Sequence, residues 1–252
     1  NKKSYLGEYY YLTKSKLKTI RKKLGKKKKI SIMIDIKDWK TPKELEKNLK
    51  ECRNYVDIIR FAINPKKIKK IDGYLKTVSN LGFIVSVNLM YSHLILKDQK
   101  IFSNVIKLKR YFDIIYLVDS YGSLVPGDVT KIIKILKSFD VNLKIGFHSH
   151  NNLELALSNS IEAINNGVEY LDSTFTGMGR GAGNLKTELL LSYLGIKLNK
   201  LKINNFKNIG NVVDMFEEIK VEEKWGTSLP YMISGSTNSP QSEAMQLIKS
   251  RR

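Results

Sequence analysis

Cysteine is all but missing from this chain. With Cys52 alone no intrachain disulfide can form, so a reducing cytoplasm is the expected setting. Long apolar runs are missing too. The most apolar stretch, 83–96, is broken by Ser86, Asn88, Ser92 and His93, well short of the roughly 18 uninterrupted apolar residues of a membrane span, so no membrane association is expected. No signal peptide opens the chain, and it starts at Asn1 rather than methionine, so further residues are expected upstream. Arginine is scarce, with seven against 37 lysines. Dedicated readers of nucleic acid rely on arginine forks and aromatic platforms at defined positions. The net charge of +20 therefore reads as a dispersed surface property, and no specific nucleic-acid partner is expected.

What is present is a repeat. Short β-branched and aromatic runs at 30–36, 56–63, 83–90, 112–118, 142–147 and 169–174 alternate with amphipathic stretches at 42–52, 65–80, 99–111, 127–138 and 153–166. Apolar spacing within the latter is helical, as in Val129, Ile132, Ile133 and Leu136. Strands apolar nearly throughout are buried on both faces, which means a parallel sheet under helices. A period of about 28 residues is βα arithmetic, shared by barrels and doubly wound sheets.

Strand ends favour the barrel. Most finish in polar residues, among them Asn64, Asp119, Ser120, His148, His150 and Thr174, and a barrel gathers its chemistry from that rim. The fold class expected is α/β, a TIM (β/α)8 barrel. Six strands rather than eight are visible, and the stretch from Tyr9 to Leu24 reads as a helix without the strand before it. The first strand-helix-strand is thus expected to precede this chain, some 55 residues by the same period. Residues 1–198 are expected to form the incomplete barrel. Residues 199–252 should add one C-terminal helix over 206–219 and an irregular tail packed on it.

Three motifs sit at strand ends. His148 and His150 flank one residue, so period-two geometry sends both imidazoles to the same side, where they could ligate a divalent ion or cap the next helix. Between Asp172 and Asn184, four glycines at 177, 179, 181 and 183 let backbone approach something closely, or simply lead into a helix near Lys186. In 116–126, Asp119 ends a strand before a turn and a proline; it is either a capping residue or a partner for a ligating histidine or substrate.

Together, 118–126, the H-x-H with 155–160, and 172–188 resemble the DRE-TIM metallolyases (pyruvate carboxyltransferase-like domains), closest to aldolases of the 4-hydroxy-2-oxovalerate type, from about Tyr5 to Asn238. The resemblance implies a lyase that cleaves or forms a C–C bond of a 2-oxo acid through a metal-stabilised enolate. By it, His148, His150 and Asn184 would ligate Mn2+ or Mg2+. Asn88, Asp119, Ser120 and Thr174 would line the substrate site, and Tyr231 would be catalytic. A homo-oligomer or an aldehyde dehydrogenase partner is consistent with it. The family's D-x-T-L-R-D-G signature, source of a carboxylate ligand and an arginine, is not in the chain. The metal site is therefore expected to need residues upstream, and the chain as it stands to be inactive. Two other readings carry different predictions: a non-catalytic barrel used for binding or assembly, and an acyl-CoA-condensing synthase, against which the short tail argues.

Overall fold

The computed structural model describes residues 12–197, 199 and 206–250. Its elements are α1 (Lys14–Leu24), β1 (Ser31–Ile34), α2 (Pro42–Cys52), β2 (Ile58–Ile63), α3 (Asp72–Asn80), β3 (Ile84–Leu89), α4 (Leu94–Lys97), α5 (Lys100–Ile106), β4 (Ile114–Asp119), α6 (Pro126–Phe139), β5 (Lys144–Ser149), α7 (Ala156–Asn165), β6 (Tyr170–Leu171), α8 (Thr187–Ser192), α9 (Phe206–Glu223), α10 (Leu229–Thr237) and α11 (Gln241–Ser250). The strands run parallel and alternate with helices, which is the class expected, a partial TIM barrel with six strands among the described residues. The boundary placed at residue 198 and the residues from Tyr5 to Tyr11 lie outside the described ones. No helix among the described residues is long and apolar enough to cross a membrane.

Two compact units divide the chain. The first runs to Asn88 and takes in Asn104–Ile115. In it β1 and β2 pair in parallel with Ser31 opposite Ile58, and Phe61, Ile59, Leu45 and Leu75 are fully enclosed. Helix α2 starts where its sequence dictates: Thr41 accepts from the Glu44 N–H at 3.2 Å, and Pro42 takes the first-turn position, where no N–H is needed. Arg21 of α1 binds the Tyr55 carbonyl and the Asp57 carboxylate, fastening the helix to the start of β2.

The second unit comprises Leu89–Ser103 and everything from Tyr116 on. Strand β4 is buried at all six positions, as its unbroken apolar run requires. Helix α6 buries Val129, Ile132, Ile133 and Leu136, the stripe read from spacing. Strands β5 and β6 pair in parallel, with Gly146 opposite Tyr170 and Phe147 opposite Leu171. Gly146 has no room for a side chain, because a Cβ there would lie 2.6 Å from the Tyr116 ring.

The structure differs from expectation in three places. The strand expected over 169–174 pairs only at Tyr170 and Leu171, since the chain then turns away toward the glycine-rich segment. The stretch 65–80 divides into a 3-10 segment, Pro65–Lys70, and α3. The tail expected to be irregular forms α10 and α11. Gly235, Ser234 and Pro230 are poor helix residues, but their small size lets α10 settle against Asn152, whose Cβ would stand 3.0 Å from a Cβ at Gly235. Close packing overrides propensity there.

Candidate active site

Strand β5 carries His148 and His150 past its paired end, with Ser149 between them turned inward. Ser149 is 1 % exposed and its hydroxyl faces those of Ser160 and the Ala156 carbonyl in α7. The two imidazoles consequently share one side, their ring centroids 5.0 Å apart at 79°. Each is tied through Nδ1. His148 Nδ1 lies 2.8 Å from a carboxylate oxygen of Asp172, and His150 Nδ1 lies 2.7 Å from the backbone carbonyl of Asp119. Both acceptors lack a hydrogen, so Nδ1 of each ring is the donor and Nε2 keeps its lone pair. Loss of water around His150, with His148 beside it, pushes its pKa down to about 4, so it is neutral at neutral pH.

Asn184 comes to the same place by β-bridge pairing with His150. Its amide nitrogen donates to the Met178 carbonyl at 2.9 Å, whereas its buried Oδ1 has no partner. A buried amide oxygen left so is costly unless something outside the protein engages it. Two bare imidazole nitrogens and this oxygen are a donor set that fits a borderline divalent ion. Among the described residues, no three His, Cys, Asp or Glu side chains gather to hold a metal, so any further carboxylate must come from elsewhere.

The glycines explain themselves through their neighbours. At Gly183 (φ +80°) a Cβ would run into the Gly177 carbonyl oxygen, and at Gly179 it would lie 2.5 Å from the Asn184 amide nitrogen. The close approach is thus to the Asn184 amide and to the turn itself. Glu188 of α8 accepts from the Thr176 N–H, and Trp225 donates to the Thr176 carbonyl at 3.0 Å, which holds Thr176 at φ +53°.

The remaining expected residues take varied places. The Asp119 carboxylate, 1 % exposed, accepts from the Ser123 and Leu124 N–H groups, and burial outweighs those bonds to raise it to about 6. Its backbone carbonyl, not its carboxylate, meets His150. Ser120 accepts from the Tyr91 N–H, and Thr174 donates to the same Met178 carbonyl that Asn184 uses. Tyr231 is buried at 7 % exposure with its ring against Gly181, and burial raises its phenol pKa. Asn88 belongs to the first unit, where it is buried and accepts from Arg60 Nε at 3.1 Å.

Asp172 is the functional residue that sequence reasoning named only as the start of the glycine motif. Strand register could have found it, because His148 and Asp172 each follow the Phe147–Leu171 pair. Asn152 was missed as well. Fully buried, it donates to the Tyr231 carbonyl and accepts from Gln241, joining the histidine loop to α10 and α11.

Known proteins share this arrangement to different degrees. A 4-hydroxy-2-oxovalerate aldolase from Geobacillus thermodenitrificans is 31% identical over 195 residues, 77% of this chain and 54% of its own length. An oxaloacetate decarboxylase from Mycobacterium tuberculosis is 32% identical over 145 residues, 56% of this chain and 42% of its own. The chain spans about half the length of the curated relatives it matches. The crystal structure of the N-terminal domain of a candidate aldolase from Bacteroides vulgatus superposes with TM-score 0.86 at 38% identity, covering 94% of this chain and 77% of that one. The HMGL-like profile matches residues 17–215. On that match, the chain belongs to the HMGL-like family, the DRE-TIM group that its motifs resemble.

Proposed function

We propose that the protein is a divalent-metal-dependent aldolase that cleaves or forms a C–C bond of a 2-oxo acid. The observation that carries this reading is the pair of histidines fixed through Nδ1, with the partnerless oxygen of Asn184 beside them. His148, His150 and Asn184 would hold Mn2+ or Mg2+, which supplies the positive charge that offsets an enolate. In cleavage, the C4 hydroxyl loses its proton and the C3–C4 bond breaks. Its electron pair passes to C3 and the 2-oxo oxygen, an aldehyde departs, and C3 takes up a proton. Tyr231, its phenol kept protonated by burial, suits a proton donor rather than a base. Ser120 and Thr174 would orient the acid, with Asp119 holding His150 from behind and Asn88 contributing from the first unit. On this reading residues 1–198 supply the barrel, and 199–252 bring Tyr231 to it. The protein would work in the cytoplasm on a small 2-oxo acid, as a homo-oligomer or beside an aldehyde dehydrogenase.

The test uses the full-length protein. Stripped of metal and reloaded with Mn2+, it should exchange the methyl protons of pyruvate with D2O, followed by NMR, and cleave a 4-hydroxy-2-oxo acid. His148→Ala and His150→Ala should abolish both. No exchange and no cleavage with Mn2+ or Mg2+ would hand the lead to the binding-module reading. The oxaloacetate decarboxylase relative favours a second reaction on the same site, in which CO2 leaves and the same enolate forms.

A further inference from the structure

Lysine is the default cation of this chain and arginine the exception, with seven against 37. Arginine differs from lysine by a rigid planar fork of donors, so its rare positions should be those where the fork is used. Four described arginines obey this. Arg21 binds the carbonyls of Tyr55, Gly25 and Lys28 and the carboxylate of Asp57. Arg53 donates to the carbonyls of Leu81 and Gly82 at 2.9 and 2.7 Å and lies over the Phe83 ring. Arg60 binds Asn88, and Arg110 lies over Tyr111.

Arg180 is the fifth, and its side chain is exposed. Among the described residues its guanidinium meets no acceptor and no ring; only its backbone carbonyl is engaged, by the Gly183 N–H at 3.1 Å. Yet its backbone is pinned on both sides. The Cβ position of Gly179 is filled by the Asn184 amide, and that of Gly181 (φ +60°) by Gln241 and by the Tyr231 ring, 2.9 Å away. The Gly181 carbonyl also accepts from the Gly226 N–H at 2.9 Å. A residue rooted between Asn184 and Tyr231, with its fork open, is placed to hold a ligand and not merely to solvate a surface.

We propose that Arg180 binds a second carboxylate on the substrate, at the end remote from the 2-oxo acid. This rests on the aldolase reading for the position of the 2-oxo end. Two observations select the ligand. A side chain's length separates the guanidinium from the backbone pinned beside Asn184, which suits the far end of a short acid. Arg180 is the only lysine or arginine in 172–185, so its single charge matches a carboxylate better than a phosphate monoester of nearly two charges. The substrate class is then a 2-oxo dicarboxylic acid.

Calorimetry on the full-length, Mn2+-loaded protein tests this without turnover. The probes are 2-oxoglutarate, with two carboxylates, and 2-oxopentanoate, with one. Wild type should prefer the diacid by about tenfold or more, the range for a charge-assisted bond. Arg180→Ala should bring the ratio toward one, and Arg180→Lys should keep part of it. A wild-type ratio near one overturns the proposal, as does an Arg180→Ala variant that keeps the preference or loses both ligands equally. Pyruvate exchange in D2O is scored separately on wild type. Exchange without diacid preference sinks the arginine site alone, whereas preference without exchange sinks the aldolase reading and leaves the dicarboxylate site standing.

Discussion

His148 and Asp172 stand 24 residues apart in the chain and 2.8 Å apart in space, ring nitrogen to carboxylate, at the ends of neighbouring parallel strands. Asp172→Asn nearly preserves the shape of this contact and reverses its logic. An amide that donates to Nδ1 moves the histidine proton to Nε2 and removes the lone pair a metal needs. Mn2+ affinity, measured by calorimetric titration of the full-length protein, should fall about 10- to 100-fold with the circular dichroism unchanged. Unaltered affinity would show that His148 is not a ligand.

Gly183→Ala should cost stability rather than activity alone. The residue sits at φ +80°, and the new Cβ would collide with the Gly177 carbonyl oxygen, which is backbone and cannot swing away. Roughly 2 kcal/mol or more is expected in urea unfolding, because both backbone strain and the clash must be relieved. Gly127→Ala, where nothing lies within 4 Å of the new Cβ, is the control.

Trp225→Phe keeps most of a buried ring and deletes the N–H that meets the Thr176 carbonyl. That carbonyl belongs to a 2 % exposed residue held at positive φ. A loss of about 1–2 kcal/mol is expected. Trp225→Tyr, unable to reproduce the bond from the same place, should do no better. Equal stability of wild type and Trp225→Phe would mean that Thr176 needs no such anchor.

Acid should loosen the first unit through Asp57. Its partial burial opposes ionisation, but the Ile30 N–H and the Arg21 guanidinium outweigh that, and its pKa lies below the ordinary carboxylate range. A depressed carboxyl stabilises the fold above its unfolded pKa, about 4, and the contribution disappears as pH falls through the lower, folded value. Urea midpoints between pH 7 and pH 3 should therefore fall less steeply in Asp57→Asn than in wild type. Parallel curves would remove Asp57 from the account.

Much of the fold is legible because local rules decide it. Thr41 and Pro42 announce the start of α2, and Val129 to Leu136 set the buried face of α6. The H-x-H is legible for the same reason, since period two puts His148 and His150 together whatever surrounds them. The helices α10 and α11 were not. Ser234, Gly235 and Pro230 argue for a loop until Asn152 is there to pack against.

The sequence by itself determined the alternation of strand and helix, the strand-end position of the two histidines and the need for four glycines. Those follow from side-chain periodicity and steric limits that act within a few residues. Only the tertiary structure decided which atoms meet them. Asp172 reaches His148 through β5–β6 register, Asp119 serves His150 with its carbonyl while its carboxylate closes a turn, and Asn184 keeps one oxygen open. Contacts between residues tens of positions apart depend on how strands align and loops close, and no local rule encodes that distance.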